Sequence, residues 1–149
     1  MAAVLIGVGA CATMKPPAVN SGPVLSKDGV GVALLRQSCS QTEPVDEVPV
    51  GSLDEAVEIE VRNGSPQPLT VHPDRFRLVA PGDGAPVTAT SRSAEPLTVA
   101  TGDTKTLQLQ FTAQGRGLEC SKEMQLDATA AITLGDSPVA LQPVPFRPL

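Results

Sequence analysis

Residues 55–66 read EAVEIEVRNGSP. Val57, Ile59 and Val61 alternate strictly with Glu58, Glu60 and Arg62. A period of two places successive side chains on opposite faces of a strand, so this segment is read as half-buried, with one dry and one wet face. Asn63, Gly64, Ser65 and Pro66 follow at once. Each favours a turn for its own physical reason, whether left-handed backbone, side-chain capping or a fixed φ.

The same signal recurs in both directions from this strand. Upstream, Val30, Val32 and Leu34 alternate with Gly31, Ala33 and Leu35, and the run continues through Arg36 and Gln37 to Cys39. Downstream, Leu69 and Val71 precede Pro73, and Phe76 and Leu78 alternate with Arg75 and Arg77. Pro81-Gly82-Asp83-Gly84 marks a turn, and residues 87–90 and 97–100 are short strand candidates. Leu107, Leu109 and Phe111 alternate with Thr106, Gln108 and Gln110. Met124, Leu126, Ala128, Ala130 and Ile132 alternate in one extended run, and Val139 with Leu141 forms a last short strand before Pro143. Residues 118–129 have some helical propensity, but alternation is cleaner there than any three-four spacing. Short strands separated by turn signals predict an all-β fold, a single immunoglobulin-like β-sandwich with Greek-key connections.

The order of features from Val57 to Phe111 resembles the immunoglobulin-like domains of bacterial surface and periplasmic lipoproteins of unknown function. The carrying residues are the alternating strand up to Asn63-Gly64-Ser65, then Phe76-Arg77-Leu78-Val79, a Gly turn, and Leu107-Gln108-Leu109-Gln110-Phe111. Antibody-type domains bury a central Trp; this chain has no Trp, so the likeness is one of architecture. What the resemblance implies is placement rather than chemistry.

Residues 2–12 read AAVLIGVGACA, an apolar run with no charge. It is shorter than the roughly 20 residues that span a bilayer and has the length of a signal-peptide apolar region. Its end, Val8-Gly9-Ala10-Cys11, resembles the lipobox of bacterial lipoproteins, in which the Cys is acylated and becomes the mature N-terminus. No Lys or Arg precedes the run, so the reading expects a basic segment upstream of Met1. Pro16, Pro17, Asn20, Ser21, Gly22 and Pro23 then interrupt all periodicity, as in an extended tether. The expected organisation is a lipoprotein-type signal peptide at 1–10, truncated at its start, a lipidated Cys11 with a flexible Pro-rich tether at 11–28, and the sandwich domain at 29–149.

The chain has 149 residues, enough for one core. With three Phe and no Trp or Tyr, the core must be aliphatic. The net charge of −5 disfavours nucleic acid, whose binders carry a basic stripe, and electrostatic adhesion to anionic lipid. Of the three cysteines, assigning Cys11 to lipid leaves Cys39 and Cys120 as one candidate disulfide, fitting an exported protein.

No catalytic set emerges. His72 is the only histidine, with Asp74 nearby, and no Ser lies in a G-x-S-x-G turn. Cys39, Cys120 and His72 lack zinc-type paired spacing, and Met14, Met124 and His72 do not cluster as copper ligands. No cofactor is expected. The acidic run has a weak candidate patch at Asp46, Glu47, Asp54 and Glu55. Calcium is its sharper reading and a solvated sheet face the plainer one. The expected protein is a non-enzymatic cell-envelope lipoprotein, a binding or structural module. It would be lipid-anchored to a bacterial membrane, the outer membrane favoured, with its domain facing periplasm or exterior and an envelope protein as possible partner. A periplasmic small-ligand or metal carrier or chaperone is the alternative.

Overall fold

A computed structural model of the chain describes residues 24–26, 28–42, 52–79, 87–88, 95–114, 120 and 123–146. The signal and lipobox residues, Cys11 included, lie outside them, as do Asp46 and Glu47. The described residues are all-β apart from one three-residue 3-10 turn at Pro73–Arg75. Three antiparallel sheets are built around a single apolar core, in a sandwich-like arrangement.

The first sheet has the order β1-β2-β3-β8. β1 is Val24–Leu25, β2 Val30–Thr42, β3 Ser52–Asn63 and β8 Thr104–Gln114. The segment read as tether therefore ends before Val24, because Val24 and Leu25 pair with Val32 and Gly31. β3 is the central strand. Its alternation holds throughout: Leu53, Glu55, Val57, Ile59, Val61 and Asn63 are buried, while Asp54, Ala56 and Arg62 are exposed.

The other two sheets share two stretches of chain. β4 (Leu69–Val71) and β5 (Arg77–Val79) follow one another, and so do β9 (Met124–Asp127) and β10 (Ile132–Leu134). β4 pairs with β10, and β5 with β9. The two stretches thus form one antiparallel ribbon interrupted at residues 72–76 and 128–131. On one side of the break the sheet is completed by β7 (Leu97–Val99) and β11 (Ser137–Pro138). On the other it is completed by β6 (Val87–Thr88) and β12 (Val144–Phe146). Pro138 and Pro145 sit in edge strands, where a missing N–H donor costs no ladder bond.

The break departs from the single extended strand expected from Met124 to Ile132. The Asp127 carboxylate accepts from the Thr129 N–H at 2.9 Å, and the Ala131 N–H donates to the Ala128 carbonyl at 3.0 Å. These local bonds turn the chain and leave Ala130 exposed. Opposite, Pro73 forces His72 into extended backbone and opens the 3-10 turn. The His72 N–H donates to the Ala131 carbonyl at 2.7 Å, stitching the two interruptions together. Val139 and Leu141 are buried as expected, but the last strand lies beyond Pro143, at β12.

Asn63 anchors the end of β3. It is fully buried, and its Nδ2 donates to the carbonyls of Gln67 (2.8 Å) and Val99 (2.9 Å). Its Oδ1 accepts from the Ser65 N–H and hydroxyl. Beside it, the Gly64 N–H donates to the Gly29 carbonyl at 3.0 Å, and a Cβ on Gly64 would sit 2.8 Å from that oxygen. Gly29 itself has φ +77, a conformation few other residues adopt.

Candidate functional site

β2 is not a simple alternating strand. Its pairing with β3 steps from Leu34↔Ile59 to Arg36↔Glu58, so Leu35 is an extra residue. Before this bulge the even positions Val30, Val32 and Leu34 are buried; after it, Gln37 is buried and Cys39 packs against the core. One inserted residue flips every later side chain to the opposite face. Had the same residues paired without the bulge, Cys39 would stand opposite Asp54 on the outer face.

Cys39, so turned inward, forms a disulfide with Cys120 across a sequence separation of 81, with Cα atoms 5.6 Å apart. The Cys120 N–H also donates to Gln41 Oε1 at 3.3 Å, so two contacts tie residue 120 to β2. Both cysteines are half-buried.

Directly across the ladder from Cys39 lies Glu55, which on its other side pairs with Phe111 of β8. Residues facing one another in this way have Cβ atoms about 4.5–5.5 Å apart. Glu55 is 0% exposed, and neither carboxyl oxygen has a hydrogen-bond partner among the described residues. An ionised carboxylate in such a place loses its hydration without compensation. Burial accordingly pushes the carboxyl up to about 8. At neutral pH the group is mostly the neutral acid.

Of the acidic patch, Asp46 and Glu47 lie outside the described residues, and Asp54 and Glu55 face opposite ways. Asp54 points outward, where its carboxylate accepts from the Thr112 hydroxyl at 3.1 Å, while Glu55 points inward. Glu58 and Glu60 share the outer face with Asp54, and Arg62 pairs with Glu60 at 3.4 Å on that surface. A shallow groove of about 70 Å³ lies there, lined by Gly31, Ala33, Glu60 and Arg62. An exposed pair of this kind contributes little to stability or binding. His72 is half-buried, its Nε2 3.4 Å from the Thr133 hydroxyl. Among the described residues no three His, Cys, Asp or Glu side chains converge as a metal-binding group. No helix there is long and apolar enough to cross a membrane.

Among the described residues, the carboxyl of Glu55 beside the disulfide is the chemically distinctive grouping. It went unread in the sequence although the signal was present. Glu55 has the same parity as Val57, Ile59 and Val61, which puts a carboxyl on the dry face of β3. The bulge that brings Cys39 alongside left no comparable trace.

Neither a protein-family model nor a curated protein sequence matches the chain. Among solved structures it is similar to a functionally unknown protein from Listeria monocytogenes EGD-e, with TM-score 0.52 and 16% identity, over 87% of this chain and 85% of that one. A protein from Archaeoglobus fulgidus matches with TM-score 0.34 and 16% identity, over 76% of this chain and 96% of that one. The Listeria likeness is one of fold.

Proposed function

We propose that the chain is a non-enzymatic envelope lipoprotein: a disulfide-stapled β-sandwich, held to a bacterial membrane by lipid on Cys11, that serves as a binding or structural module. The observation that carries this reading is the Cys39–Cys120 disulfide. Disulfides persist in oxidising compartments outside the cytosol, which supports export. The pairing also leaves Cys11 as the one cysteine outside the bridge, at the end of the lipobox-like run.

The remaining features agree with display rather than catalysis. The sandwich presents a broad polar face on β2, β3 and β8, and sheet edges and loops are the usual contact surfaces of such folds. Fractionation of cells producing the full chain tests the placement. The wild type is expected in the membrane fraction and Cys11→Ser in the soluble envelope fraction. Equal partitioning of the two contradicts it. Cross-linking in intact envelopes tests the module role, with a discrete partner band expected on the wild type.

A further inference from the structure

The staple and the buried acid are side by side, and their chemistry is complementary. Opening a disulfide generates a thiolate leaving group, and the leaving sulfur departs more readily when a proton is delivered to it. Glu55 faces Cys39 across the β2–β3 ladder, both side chains turn to the core, and neither Glu55 oxygen is engaged by another described residue. The geometry points to Cys39–Cys120 being an exchangeable disulfide, opened by a dithiol reductant at the Cys120 sulfur with Glu55 as proton donor to Cys39.

The step balances as follows. A thiolate of the dithiol attacks Cys120 Sγ and forms a mixed disulfide. The electron pair of the broken S–S bond leaves on Cys39 Sγ, and the Glu55 carboxyl transfers its proton there, giving a Cys39 thiol and a Glu55 carboxylate. The second thiol of the reductant loses its proton and attacks its own mixed-disulfide sulfur. Cys120 leaves as thiolate and takes up that proton, and solvent returns one to Glu55. The reductant ends as a disulfide and the protein as a dithiol. In the reverse direction the Glu55 carboxylate accepts the Cys39 proton and helps the bond re-form.

The surroundings make Glu55 the group that controls this step. From β2 the facing residues are Gln37 and Cys39; from β8 they are Leu109, Phe111 and Ala113; the other described members of the buried core, Met124, Leu126 and Val144 among them, are apolar. Gln37 does not titrate, and Glu55 is the only charged residue buried among the described ones. Glu123, next to β9, is exposed.

The test follows opening of the disulfide in the folded full chain by dithiothreitol, quenched with an alkylating reagent and read by mass. The rate is divided by the concentration of reductant thiolate at each pH from 5.5 to 9.5. In the wild type this corrected rate is expected to fall about tenfold or more as Glu55 ionises near pH 8. In Glu55→Gln, which keeps the shape but has no proton to give, it is expected to be low and flat. Equal corrected rates for the two proteins at pH 6, or a constant ratio between them across the range, would overturn the proposal. The wild-type profile stands by itself if Glu55→Gln fails to fold. A corrected rate independent of pH, or a disulfide that opens only on global unfolding as timed by amide hydrogen exchange, also overturns it.

Discussion

Cys39 and Glu55 occupy directly opposed positions on β2 and β3, both turned into the core, the first in a disulfide and the second with no described hydrogen-bond partner. This pairing exists because Leu35 is bulged out of the ladder. It joins a disulfide that closes a long loop to a buried carboxyl without a described hydrogen-bond partner.

Glu55 makes the domain less stable as pH rises. Its folded carboxyl is raised from 4.5 to about 8, so between these values the unfolded chain holds fewer protons than the folded one. Stability is fully present below about pH 4.5, declines through the interval, and levels off above about 8. The loss should reach several kcal/mol, about 3–5 by linkage. Urea unfolding of the oxidised protein at a series of pH values should show this slope. Glu55→Gln should abolish most of it and be the more stable protein at pH 8.

The disulfide closes a loop of some eighty residues, given its separation of 81. Replacing both Cys39 and Cys120 by Ala should cost roughly 4–5 kcal/mol by chain-entropy reasoning. Paired urea denaturation curves measure the difference. A cost below about 1 kcal/mol would mean that the unfolded chain gains little freedom when the bridge is removed.

Deleting Leu35 should remove the bulge without turning either half of β2, because Leu34↔Ile59 and Arg36↔Glu58 then become successive pairs of one regular ladder. The variant is therefore expected to keep Val30, Val32 and Leu34 in the core and Cys39 opposite Glu55, with the bridge formed. Thiol titration of the folded variant should find neither Cys39 nor Cys120 free; free thiols at both would contradict the assigned register.

Asn63 satisfies two carbonyls and caps Ser65 from a fully buried position. Asn63→Ala leaves those groups without their partner, and the expected loss is about 2–4 kcal/mol. Asn63→Asp should be no better, since an acceptor-only side chain cannot donate to Val99 and Gln67.

The all-β reading was legible because side-chain alternation survives in the sequence wherever a strand has one wet face. Val57, Ile59 and Val61 mark β3, and Leu109 with Phe111 marks β8. Where backbone geometry breaks the period, legibility ends. Leu35 looks like any other aliphatic residue, yet its bulge decides which way Cys39 points. Ala128 and Ala130 continue an apparent alternation that a turn capped by Asp127 interrupts. The disulfide partners could be named by cysteine arithmetic, but their neighbour Glu55 could not, since register is a property of the pairing and not of either strand. Within the acidic run, parity alone separated Glu55 from Asp54.

The lipid on Cys11 is the claim on which placement of the whole domain depends. Growth with an alkyne-tagged palmitate, followed by capture of the protein expressed from its native locus, tests it most directly. The account predicts strong labelling of the wild type and none of Cys11→Ser, with the Cys39–Cys120 bridge intact in both. Equal labelling of the two, or an unlabelled wild type retaining residues 1–10, would contradict it.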